Sequence, residues 1–254
     1  MNSKVNLNTL NTPSLRLKAK LDMAFPVLQA QAAQLWNSPF VRDLYPVYLQ
    51  NMYMVVRSGV PLMHAAIQTA NYFSESDKML NRLIGYLTHH MEEERGHDHW
   101  LLEDYEATGG NPDALQLQMP SSQVATLVGA QYYWIYHYHP VTLMGHIAAL
   151  ETYHPPKGFA KHLSGLTGYP MHAFRAIARH EKLDIVHKRE LYKLIDELKL
   201  TEQQERSIGL SGLHTMQTAV DVLADIYEKS KKRSVRLVPH GIQPVPTSLF
   251  SPPV

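Results

Sequence analysis

"HEKLDIVH", His180 to His187, is the stretch on which the reading of this chain turns. It lies between Ile177 and the leucines Leu191, Leu194 and Leu198. At about 100° per residue these four apolar side chains form one stripe of a helix, and His180, Asp184 and His187 (i, i+4, i+7) fall in its middle. Three polar groups stacked on a leucine stripe make a poor core, because leaving them unpaired would cost more than a domain's small net stability allows. Two arrangements would satisfy them. One is a buried His–Asp–His hydrogen-bond network; the other is ligation of a metal ion, which neutral imidazole and carboxylate suit.

The same phase test sorts "HHMEEERGHDHW", His89 to Trp100. Turn signals on either side predict one long helix over 75–108, ended by "GGNPD" at Gly109 to Asp113. Its apolar face carries Leu80, Leu83, Leu87, Leu101 and Tyr105, and the same face holds His90, Glu94 and His97. Glu92, Glu93, His99 and Glu103 fall on the solvent side, with His89 beside them. Glu94 and His97 form Glu-x-x-His, the arrangement of carboxylate-bridged iron helices; a buried ion pair would use the same two residues. A third piece is "GHIAALETYH", Gly145 to His154. There Glu151 shares a face with Met144 and Ala148. His154 follows as a ligand, a supporting group or a partner of the helix C-terminus.

The rest of the chain is helical in pattern. Helices are expected from Ser14 to Trp36, Val41 to Arg57, Pro61 to Phe73, Gln123 to His137, Val141 to His154, Phe159 to Leu166, Met171 to Leu198 and Thr201 to Lys229. No strand period appears, so the fold class is all-α, a compact bundle. Residues 1–229 read as one domain with a loose start over 1–13. Residues 230–254, basic and then Pro-rich, read as a tail.

Composition removes other classes. The 254 residues hold 24 Lys+Arg against 23 Asp+Glu, which gives no nucleic-acid footprint. No cysteine is present, so disulfides, zinc-thiolate sites, Cys-ligated clusters and cysteine nucleophiles are excluded. Fifteen histidines supply imidazole in quantity. The first twenty residues lack an apolar signal core and no run is long enough to span a membrane, so a soluble cytoplasmic protein is the expectation. Nitrogen and carboxylate donors without sulfur suit iron or manganese. Glu94, His97, Glu151, His180, Asp184 and His187, with His90 as an additional candidate, are enough for two divalent ions.

With these residues in hand, the chain resembles the heme-oxygenase-like diiron oxidases and oxygenases. In that family a Glu and a His come from a first core helix, a Glu from a second, and a His/Asp/His set from a third. Here His97 lies 54 residues before Glu151, and Glu151 lies 29 before His180. The resemblance spans roughly residues 40 to 225. One departure stands out: several members carry the first-helix glutamate seven positions before the histidine, where this chain has His90. The resemblance implies a seven-helix heme-oxygenase-like bundle, two Fe ions cycling between Fe2+ and Fe3+, and O2 as co-substrate. It further implies oxidation of a small amino-acid or amine substrate by N-oxygenation, oxidative decarboxylation, C–C cleavage or nitrile formation, in natural-product biosynthesis. The alternative is a metal-binding or cofactor-free relative without diiron turnover. An external electron donor and a homodimer are compatible partners; nucleic acid and membrane are not expected. For the substrate, Tyr136 and His137 in an aromatic run, and Arg175 and Arg179 beside the third ligand helix, are the candidates; as packing and surface residues they would have no such role.

Overall fold

The computed structural model describes residues 11–74, 77–153 and 155–237, with the side chains of 185 and 230–237 excepted. Eleven α-helices lie within these residues, and no strand. They are α1 (Pro13–Trp36), α2 (Val41–Val56), α3 (Gly59–Phe73), α4 (Met79–Glu94), α5 (His97–Ala107), α6 (Pro112–Gln116), α7 (Ser122–His137), α8 (Leu143–Glu151), α9 (Phe159–Thr167), α10 (Arg175–Glu197) and α11 (Glu202–Leu237). The count exceeds seven because the chain interrupts its helices rather than because the architecture differs. The last helix runs eight residues past the expected end at Lys229. Residues 238–254 of the expected tail, and His154, lie outside the described residues.

Local chemistry starts several of these helices. Thr12, Asn111 and Ser121 each turn a side-chain oxygen onto a first-turn amide, at the starts of α1, α6 and α7. Pro13 and Pro112 stand at first helical positions, where their missing N–H costs nothing. Asp196 near the end of α10 accepts from the Ser14 amide (2.9 Å) and hydroxyl (2.7 Å), so the start of α1 is tied to α10.

The middle of the bundle is α8. Every residue from Leu143 to Glu151 except Leu150 is buried, and a helix enclosed on all sides must sit in the core. It packs along α11, α10 and α7. Its approach to α11 needs glycine: a Cβ on Gly145 would lie 2.7 Å from the Gly212 amide nitrogen and closer still to the Ile208 carbonyl oxygen. Backbone therefore meets backbone at this crossing. The α4 stripe of Leu80, Leu83, Leu87 and His90 faces the same core. α10 passes across α4, α5 and α8. Two apolar clusters, one around Leu62, Leu83, Met144 and Leu191 and one around Tyr45, Leu102, Leu163 and Phe174, hold this arrangement.

The close crossing makes a prediction. Gly145→Ala should lower the unfolding free energy by about 1–3 kcal/mol or more, because the helices must part. Gly129→Ala, in open space in the middle of α7, should raise it by about 0.5–1 kcal/mol through helix propensity. Chemical denaturation of the two variants measures both; equal effects would contradict the account.

Candidate metal centre

The expected long helix over 75–108 is not continuous. It stops at Glu94, Arg95 takes an extended conformation (φ −63°, ψ 119°), Gly96 is left-handed (φ 88°), and α5 restarts at His97. Only glycine adopts that φ without strain. The break leaves Glu94 at the end of one helix and His97 at the start of the next. They still meet: Glu94 Oε2 lies 3.0 Å from His97 Nδ1.

Two groups of potential ligands form around Glu94. His90, Glu94, Glu151 and His187 offer atoms all within 4.8 Å of one another, and so do Glu94, His97 and His180. In the first group His90 Nε2 stands 2.8 Å from Glu151 Oε1. His187 Nδ1 is 3.5 Å from Glu94 Oε1 and 3.6 Å from Glu151 Oε1. Glu94 thus turns Oε1 to one group and Oε2 to the other, as a carboxylate shared between two cations would. The imidazoles cross edge to face, His90 with His187 (4.8 Å) and His97 with His180 (5.2 Å).

Burial is deep: His90, His97, Glu151 and His187 are all buried, with Glu94 and His180 partly so. Yet three of their atoms make no aligned hydrogen bond among the described residues: Glu151 Oε2, His187 Nδ1, and His97 Nδ1 despite its 3.0 Å approach to Glu94 Oε2. Each buried orphan costs about 1–3 kcal/mol, so three in one place call for a ligand. Burial works against charge on His187, but Glu151, Glu94 and Glu93 outweigh it and lift its pKa to about 9. Burial likewise opposes ionisation of Glu94, and His97, His90 and His180 nonetheless hold its carboxyl below the usual range. The carboxylates therefore ask for positive charge, and the donor set is nitrogen and oxygen only, which fits iron.

Second contacts set the ligands. His180 Nδ1 donates to the Ala176 carbonyl at 2.8 Å; a carbonyl only accepts, so the Nε2 lone pair is free for a metal. Burial keeps that ring neutral, its pKa lowered. α10 is itself positioned by Asp104 of α5, fully buried, whose two oxygens accept the Arg175 (3.0 Å) and Ala176 (2.9 Å) amides. One aspartate thus caps α10 from the helix that carries His97. Trp100 stacks on His97 at 3.9 Å and Tyr86 on His90 at 5.4 Å.

Not every expected residue arrives. Asp184 is buried beside these groups but its carboxylate belongs to neither; burial, then Glu151, pushes its pKa to about 8. Glu93, expected in solvent, turns Oε2 inward, buried and unpartnered, 3.7 Å from His187 Nε2. Glu92 and His99 are exposed, as expected.

A cavity of about 250 Å³ adjoins the groups, with His90, Glu94, Glu151, His180 and Asp184 on its wall. None of the four expected substrate residues lines it. Tyr136 and His137 are exposed on α7. Arg175 pairs with Glu103 (2.9 Å), and Arg179 lies over the Trp100 ring (4.1 Å). His146, outside the expected set, is buried on the cavity wall. On a helix buried all round, phase carries no signal.

Comparison with known proteins gives the family and the fold. Residues 47–220 match the family model described as iron-containing redox enzyme, and the chain belongs to that family. No curated protein matches it. Among solved structures it is similar to a domain of unknown function with a heme oxygenase-like fold from Shewanella denitrificans OS217. The TM-score is 0.71 at 15% identity, covering 91% of this chain and 96% of that one. It is also similar to a TenA homolog from Pseudomonas syringae pv. tomato DC3000, with TM-score 0.59 at 12% identity, covering 90% and 98%. The fold is heme oxygenase-like.

Asp104 yields the prediction of this site. Asp104→Ala removes acceptors from two buried amides and should cost about 2–3 kcal/mol, while Asp104→Asn, keeping one acceptor, should cost less. Urea unfolding reads both; an Asp104→Ala loss below about 0.5 kcal/mol would contradict the capping role.

Proposed function

We propose that this chain is a non-heme diiron enzyme that uses O2 to oxidise a small aliphatic amine or amino acid bound in the cavity. The observation that carries the reading is Glu94, whose two oxygens face two separate histidine groups. His90, Glu94, Glu151 and His187 would hold one iron; Glu94, His97 and His180 the other. Asp184, buried on the same wall, is the carboxylate available to complete the three-residue group. When bound, ferrous iron supplies electrons for the reduction of O2. The chain's own part is to hold the ligands, exclude water and orient the substrate. Leucines and methionines make up much of the rest of the cavity wall. Trp100 and Tyr86, stacked on His97 and His90, fix ring orientations.

The test is O2 consumption by protein loaded anaerobically with ferrous iron and supplied with a panel of aliphatic amines and amino acids. Glu94→Ala and His187→Ala should each lower the rate by about a hundredfold or more and reduce retained iron. Glu92→Gln, on the exposed face, should stay within about twofold. Full activity in Glu94→Ala, or no substrate-dependent O2 uptake across the panel, would overturn the reading.

A further inference from the structure

The cavity wall is divided by chemistry. Its polar residues other than His146 and Tyr48 are the five beside the metal groups. The remainder is apolar, including Met52, Val56, Leu62, Met63, Ile147 and Leu150, and no described lysine or arginine lines it. A substrate carboxylate therefore finds no side-chain cation here, and an apolar body is favoured.

His146 is held in one tautomer by a chain of hydrogen bonds. Thr215 spends its single hydroxyl hydrogen on the Ser211 carbonyl, at 2.9 Å. Ser211 Oγ donates to Gln131 Oε1 at 2.8 Å, which fixes the amide and turns Gln131 Nε2 toward Thr215 Oγ1 at 3.4 Å. With that hydrogen on the Ser211 carbonyl, Thr215 Oγ1 accepts from His146 Nδ1, 2.9 Å away, which is the assignment this network supports. Nδ1 therefore carries the proton and Nε2 the lone pair. Nε2 makes no hydrogen bond to any described residue. Burial first, then the neighbouring His214, lowers the ring's pKa to about 4, against a small opposing effect of Glu151, so it is neutral at physiological pH. The glycine crossing of α8 and α11 is what brings His146 within reach of Thr215.

We infer that His146 anchors the substrate: its Nε2 accepts a hydrogen bond from an N–H or O–H group on an otherwise aliphatic molecule lying in the cavity. The ligand class is thus an aliphatic amine or alcohol with one donor head. This rests on the diiron reading only for what happens to the ligand after it binds.

The experiment measures binding to the full-length, iron-loaded protein by anaerobic calorimetry, so that no turnover intrudes. Hexylamine and hexanol are compared with methoxypentane, which has hexanol's heavy-atom count and no donor. The wild type should prefer at least one donor by about three- to tenfold over methoxypentane; which donor wins assigns amine or alcohol. His146→Leu should bring the ratio to about one while retaining methoxypentane binding and iron content. Thr215→Val, which frees the tautomer, should also reduce it. A ratio near one in the wild type, or unchanged in His146→Leu, would overturn the anchor. Should His146→Leu fail to fold, the ¹⁵N shifts of His146 in the diamagnetic zinc-loaded wild type decide: a protonated Nε2 overturns the proposal, and a protonated Nδ1 supports it. Iron analysis separates the two claims. A wild type that keeps donor preference but binds no iron defeats the diiron reading alone. One that binds iron without donor preference defeats the anchor alone.

Discussion

A carboxylate in the interior of a protein, facing one histidine at 3.0 Å and another from a different group at 3.5 Å, is the constraint around which the bundle is arranged. Removing such a density of carboxylate and imidazole from water is costly without a compensating charge. The surrounding structure delivers the partners to Glu94 from α5, α8 and α10, with His90 one turn before it on α4. Gly96 turns the chain so that His97 returns to the same point. Asp104 sets the start of α10 and hence places His180 and His187. Glu151 arrives from the last turn of a helix buried on nearly every side. The unpartnered atoms that remain are where a cation would bind.

Much of this was legible in the sequence, for reasons specific to each helix. α10 has a clean leucine stripe, so the phase of His180 and His187 was decisive. On α4 the stripe of Leu80, Leu83 and Leu87 correctly drew in His90, which lies in the four-residue group opposite Glu151. The break at Gly96 was not legible, since a lone glycine inside a periodic pattern does not announce a positive φ. Glu93 divides between the two sides: Oε1 faces the exposed His89 while Oε2 turns inward, since helical phase does not fix which way a long side chain turns. Asp184 shares the stripe with its histidines yet stays outside both groups, because phase gives the face of a helix and not the reach of a side chain. His146 carries no phase signal because on α8 every residue but Leu150 is buried. The substrate residues expected on α7 and in the first turns of α10 do not line the cavity, their side chains being exposed or paired elsewhere.

The residues outside the matched span 47–220 have a place in the same account. α1 packs along α11, and its fully buried Leu21 sits where a Cβ on Gly212 would come within 3.0 Å. That pressure backs the stretch of α11 from which Ser211 and Thr215 reach toward His146. The metal side of the cavity is thus built by α4, α5, α8 and α10, and its apolar wall by α2 and α3 with α8, which is braced on α11. α8 belongs to both, carrying Glu151 to one and His146 to the other.

The most direct test of the central claim is anomalous diffraction at the iron edge from crystals of the full chain loaded anaerobically with ferrous iron. The account predicts two peaks flanking the Glu94 carboxylate, one among His90, Glu151 and His187 and one beside His97 and His180. A single peak, or iron bound away from Glu94, would contradict it.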